Sequence, residues 1–212
     1  MFIIDFDDTL FDTQRFKKAR LDALLACGVS EAIFTESYIK ARNNMTGAFT
    51  YSDRRHAEIL AEYGFDEEKI YEAFMKITAQ LPSFLFPDTI LFLEKLKTLQ
   101  KPLILLSLGD SGFQETKVRG AKIHKYFDRR FMVSETKLSI MQHLLQQKQD
   151  EMVWFIDDKI DETREIAALC PAVHPLLKVS GSIPLPQYEA SGMPYFANLL
   201  SIYDYVATPT AV

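Results

Sequence analysis

A chain of 212 residues, 48% apolar and 25% charged, can bury a full-sized core and has the composition of an ordinary globular protein. Its net charge of −5 leaves no basic footprint for nucleic acid, and no apolar run approaches the roughly 20 residues that span a bilayer. The first apolar run is short and ends in aspartates, unlike a signal peptide, and Cys27 and Cys170 have neither metal-ligand spacing nor a disulfide framework, so a cytoplasmic protein is expected.

The first predicted strand, "FIIDF" at 2–6, runs directly into Asp7 and Asp8, so three carboxylates crowd into four residues. Four helical segments follow at about 14–27, 30–43, 53–63 and 66–80. Asp12 or Thr13, Ser30 and Asp66 can cap them, and Gly28 and Gly64 can end them. Pro87-Asp88 opens a fifth helix at 88–99, whose Ile90, Leu93, Leu96 and Leu99 fall on one stripe. Strands then recur at 103–107, 130–134, 152–157 and 172–177, separated by helical stretches. Most lack two-residue alternation, as expected of strands covered on both faces. The order reads as an α/β fold with a parallel sheet, interrupted after its first strand by an all-helical insertion. The chain from 178 on reads as loop until a short apolar helix near 196–206.

Ligands of open parallel sheets bind at the carboxyl ends of the strands. There this chain places Asp5 and Asp7, then Ser107 followed by Leu108-Gly109-Asp110, then Lys137, then Asp157 and Asp158 with Asp161 and Glu162 just beyond. A hard divalent cation relieves repulsion in such a cluster, and Mg²⁺ characteristically combines one or two carboxylates with substrate phosphate. Lys137 adds a second positive charge, and Ser107 with the amides after it can donate to anionic oxygens. An aspartate can serve as the nucleophile that takes a phosphoryl group.

The ordered set "DFDDTL", a strand ending in Ser107, Lys137 and "IDDKIDE" resembles the haloacid dehalogenase superfamily of phosphohydrolases. The resemblance spans the chain apart from its tail. It implies a Rossmann-like catalytic core of residues 1–13 and 83–212 with a helical cap at 14–82. It also implies that Asp5 attacks phosphorus and that Asp7 protonates the leaving oxygen and then activates water. Mg²⁺ would be held by the Asp5 carboxylate, the Asp7 carbonyl and Asp158, with Asp157 helping directly or through water. Ser107 and the Leu108 amide would bind phosphoryl oxygens, Lys137 would offset charge, and Asp8, where many relatives have Gly, would be a solvated bystander. Whether Asp161 or Glu162 supports the metal site stays open, as do Gln114 and Lys117 in "LGDSGFQETK".

The substrate implied is a small phosphorylated metabolite, hydrolysed through an aspartyl-phosphate. A phosphomutase uses the same carboxylates and is the alternative. Asp7 argues against the dehalogenase branch, which typically lacks it, and Lys17, Lys18 and Lys40 stand in no setting that would activate the Schiff-base lysine of a phosphonate hydrolase. A non-enzymatic phospho-acceptor of receiver type is poorly matched by the length and the helical insertion, and a silent phosphate-binding scaffold by the full set of catalytic groups. In "RNNMTGAFTYSDRRH", Arg42, Arg54, Arg55 and His56 with Gly47 read either as a solvated face or as a grip on a second anionic group. Phe49 and Tyr51 are expected to pack between cap and core, Asp12 to cap a helix, Thr9 either to satisfy backbone groups or to touch substrate, and His124, His143 and His174 to be structural.

Overall fold

The computed structural model describes residues 1–43, 48–146 and 152–208. Six parallel strands, β1 (Phe2–Ile4), β2 (Leu103–Leu108), β3 (Arg129–Val133), β4 (Val153–Asp157), β5 (Val173–Lys178) and β6 (Tyr195–Phe196), lie in the order β3-β2-β1-β4-β5-β6. Alternation along the strands is real but hidden, because both faces are apolar. Phe2, Ile4, Leu103, Leu105, Trp154 and Ile156 enter one core. Met1, Ile3, Ile104, Leu106, Val153 and Phe155 enter another.

Between β1 and β2 come α1 (Thr13–Leu25), α2 (Glu31–Arg42), α3 (Asp53–Ala61), α4 (Glu67–Thr78), a 3₁₀ turn at Leu81–Phe84, and α5 (Thr89–Thr98). Asp12, Ser30, Ser52 and Asp66 cap the first four through their side chains, and Gly28 and Gly64 (both φ +89°) supply the left-handed turns that end α1 and α3. These four helices have a core of their own, built from Leu24, Val29, Phe34, Ala57, Leu60, Ile70 and Phe74. On α5 the stripe shifts: Phe92, Leu93 and Leu96 are buried, whereas Ile90 is exposed.

The helical layer also buries a polar chain. Arg20, 3% exposed, donates to Asp53 Oδ1 at 2.5 Å and to the Tyr51 hydroxyl. His56 is fully buried, 2.8 Å from Ser37 Oγ and 3.1 Å from the Tyr51 hydroxyl. Burial, aided by the charge of Arg20, pulls His56 down to about 3. Below its ordinary value near 6.5 the unfolded chain therefore takes a proton that the native chain refuses, so stability must fall as pH drops from 6.5 toward 3. At roughly 1.4 kcal/mol per pH unit, about 2 kcal/mol is expected to be lost between pH 6.5 and 5. Urea unfolding at the two pH values should show this drop in the native chain and a shallower one in His56→Gln; parallel drops would refute it.

After β2 follow α6 (Ser111–Gly120), α7 (Leu138–Gln146), α8 (Ile160–Leu169), α9 (Leu185–Ala190) and α10 (Leu199–Ala207). The segment from 178 is thus no loose tail. β6 extends the sheet at Leu177 and Lys178, although two residues are too few to carry a strand pattern. Leu199 and Ile202 of α10 enter the main core, and Asp88 Oδ2 accepts from the Leu199 amide at 2.8 Å. Asp88 makes no side-chain cap on α5; it fastens the start of α10 instead.

Candidate active site

β1 is only three residues long, since after Ile4 the chain turns out of the sheet with Asp5 N–H still bonded to the Ile156 carbonyl at 2.9 Å. That turn delivers Asp5 beside the end of β4. Lys137, 1% exposed and just before α7, donates to Asp5 Oδ1 at 2.7 Å and Asp157 Oδ2 at 2.5 Å, and lies 3.0 Å from Glu162 Oε2. Three carboxylates hold it firmly protonated despite burial, raising it well above the ordinary lysine value. Glu162, not Asp161, is therefore the acid that meets the site; Asp161 is 97% exposed on its side chain and pairs with Arg164.

Asp5, Asp157 and Asp158 each offer an oxygen, all within 4.8 Å of one another. Burial and mutual repulsion push Asp5 and Asp158 upward, and Asp158 Oδ1 is buried without a hydrogen-bond partner. A set of hard oxygen donors that strains against its own charge fits a divalent cation such as Mg²⁺. The Asp7 carboxylate is not part of this trio.

Asp7 is engaged on the other side. Lys117 Nζ donates to both its oxygens at 2.6 and 2.7 Å, Gln114 Nε2 at 2.7 Å, and Thr13 Oγ1 at 2.7 Å. Burial alone would raise Asp7, but Lys117 and then Gln114 and Thr13 bring it down to about 2. Gln114 and Lys117, three apart on α6, share the face turned to the site; that spacing was the available signal. Gly109 (φ +156°) makes the approach possible, because a Cβ there would lie 2.4 Å from Gln114 Nε2.

Asp8 departs from expectation. It is 9% exposed, adopts φ +59°, and accepts from the Thr13 amide at 3.0 Å and Gln14 Nε2 at 2.7 Å. Aspartate tolerates this left-handed conformation, which explains why glycine suits the same turn. Asp8 is thus a structural brace between the loop and α1, not a solvated group.

β2 runs one residue past the expected end, to Leu108; Ser107, the residue before it, is fully buried with Oγ unpartnered, and Leu108 lines the cavity. The Gly109 amide is spent on the Val133 carbonyl at 2.7 Å, so it is not among the donors free for an anion. Thr9 is buried with an unpartnered hydroxyl, whereas Asp12 caps α1 as expected.

A cavity of about 130 Å³ lies over Asp5 and Asp7, lined by α1, α2, Phe49 and Tyr51 of the segment before α3, and α6. Of the basic residues between 42 and 56 only Arg42 reaches it. Arg54 pairs with Glu67 and Glu68, Arg55 donates to the Ala41 carbonyl, and His56 is in the helical core; Gly47 lies outside the described residues. Lys17, Arg20 and Lys159 also line the cavity. Burial and Arg42 together lower Lys17, a perturbing setting not visible in the sequence, while Lys18 and Lys40 are exposed in ion pairs with Asp22 and Glu36. Phe49 and Tyr51 do bridge the layers: Phe49 N–H donates to the Ser134 carbonyl at 3.2 Å, and Tyr51 meets Phe113 edge-on at 4.8 Å. No helix among the described residues is long and apolar enough to cross a membrane.

Neither a protein-family model nor a curated protein matches the sequence. Solved structures are similar in fold. One described as a haloacid dehalogenase-like hydrolase from Burkholderia xenovorans LB400 superposes with a TM-score of 0.74 at 17% identity, covering 97% of this chain and 95% of that one. The HAD hydrolase YfnB from Bacillus subtilis, bound to magnesium, gives 0.64 at 14%, and a protein described as a β-phosphoglucomutase from Thermotoga maritima gives 0.65 at 16%; each covers 97% of both chains. The chain has the fold of the haloacid dehalogenase-like hydrolases, with the region after 178 largely included in the match.

Proposed function

We propose that the protein is a Mg²⁺-dependent phosphatase acting on a small phosphorylated molecule through an aspartyl-phosphate, with residues 1–13 and 83–212 as the catalytic core and 14–82 as the cap. The observation that carries this reading is the buried set of Asp5, Asp157 and Asp158 with Lys137 beside it, at the foot of a cavity that Asp5 itself lines. When bound to these three carboxylates, with the Asp7 carbonyl as a further ligand, Mg²⁺ would neutralise charge on them and on the phosphoryl oxygens.

Asp5 Oδ attacks phosphorus and the bond from phosphorus to the leaving oxygen breaks. Lys137 offsets the charge on Asp5 and the transferring group, and the free Ser107 hydroxyl and Leu108 amide receive phosphoryl oxygens. The leaving oxygen takes a proton from the Asp7–Lys117 pair, since Asp7 alone is held as a carboxylate. The same pair recovers a proton from the water that attacks the aspartyl-phosphate, which releases phosphate and restores Asp5.

The test is phosphate release from p-nitrophenyl phosphate, whose simple leaving group makes few demands on the cap. Turnover is expected with Mg²⁺ and to vanish with excess chelator. Unchanged turnover in chelator would contradict the metal assignment. Interconversion of sugar-phosphate isomers without free phosphate would indicate a mutase.

A further inference from the structure

Five cationic side chains line the cavity, and two are already committed, Lys117 to Asp7 and Arg20 to Asp53. Lys159 follows Asp158 directly in the chain, at the end of the cavity next to the carboxylate trio. Lys17 and Arg42 have no ion-pair partner within 4 Å among the described residues. The carboxylates that share the cavity are otherwise occupied: Asp5 by Lys137, Asp7 by Lys117, Asp8 by Thr13 and Gln14, and Asp110 as the cap of α6. Asp7 and Asp8 act on Lys17 only at longer range.

The two free cations are nonetheless held in place. Lys17 Nζ sits 5.6 Å from the centre of the Tyr38 ring, and the Arg42 guanidinium 4.6 Å from that of Phe49. A guanidinium resting on a ring keeps its N–H edge for a planar anion. Their charges repel one another, a cost that a bound anion would remove. A further donor faces the same space: Arg20 is 3% exposed, lines the cavity, and its Nη1 is buried without a hydrogen-bond partner.

Resting on the phosphatase reading, we infer that the substrate carries a second anionic group, a carboxylate or a second phosphate, bound in this cavity by Lys17 and Arg42 with Arg20 Nη1 behind them. The aromatic lining of Phe16, Tyr38, Phe49 and Phe113 suits a short, uncharged connector between the two anionic ends. Uncharged esters would therefore turn over slowly for want of this contact, while the chemistry at Asp5 is shared.

The experiment uses the full chain with Mg²⁺ and three series of alkyl phosphates with one to four methylenes, ending in carboxylate, in a second phosphate, or in a methyl group. The expected result is at least a tenfold higher kcat/KM for one charged probe over its methyl counterpart of equal length. That ratio should fall toward one in Arg42→Gln and in Lys17→Met, and the better charged series identifies the anion. Equal kcat/KM for charged and uncharged probes at every length would overturn the subsite and leave the phosphatase reading intact. Calorimetry with the matching non-hydrolysable phosphonates separates the other failure. Charge-dependent binding that Arg42→Gln weakens, without turnover of any ester, would uphold the subsite and sink the phosphatase; charge-independent binding or none would overturn the subsite.

Discussion

Asp5→Asn is expected to lower phosphate release by at least about ten-thousandfold, the scale on which loss of a covalent nucleophile acts. The amide has the same shape but cannot attack phosphorus. Its effect on stability runs the other way. Asp5 is buried beside Asp157 and Asp158, and removing one charge from a strained set relieves repulsion, while Lys137 keeps Asp157 and Glu162. The metal-free variant should melt at or above the wild-type temperature and gain less from added Mg²⁺. An inactive variant that also melts far below wild type would instead indicate that Asp5 serves folding.

Lys137→Met is the second large effect, and it strikes both properties. Lys137 touches Asp5, Asp157 and Glu162, and none of the three has another ion-pair partner among the described residues. Methionine matches the length but leaves the carboxylates uncompensated, which costs about 3–5 kcal/mol in a buried network. Loss of the stabilising charge should lower kcat/KM by about 10²–10³-fold. Because Mg²⁺ supplies part of the missing charge, its stabilising effect should be larger in the variant than in wild type. Melting curves with and without Mg²⁺ check both statements, and equal metal-free stability would contradict them.

The strands were legible because β1, β2 and β4 are continuous apolar runs, and the site because those three lead directly into Asp5, Ser107 and Asp157. Asp5, Ser107 and Asp157 need only the strand direction to be placed together. Lys117 and Gln114 were harder: on a helix their spacing is common to any buried face, and only packing against the turn after β1 shows that they meet Asp7. Arg42 could not be told from Arg54 and Arg55 in the sequence, since the three carry the same charge. What separates them is position, Arg42 closing α2 beside Phe49 and Arg54 facing Glu67 and Glu68 on α4. Asp8 misled because a third aspartate within four residues looks solvated, whereas its left-handed backbone turns it onto the start of α1.

Whether Asp5 receives the phosphoryl group can be read by acid quenching during turnover. With Mg²⁺ and ³²P-labelled aryl phosphate, the protein is expected to retain a hydroxylamine-sensitive label that maps to the N-terminal peptide containing Asp5 and is absent from Asp5→Asn. A label on another residue, or phosphate release by Asp5→Asn at the wild-type rate, would show that Asp5 is not the nucleophile.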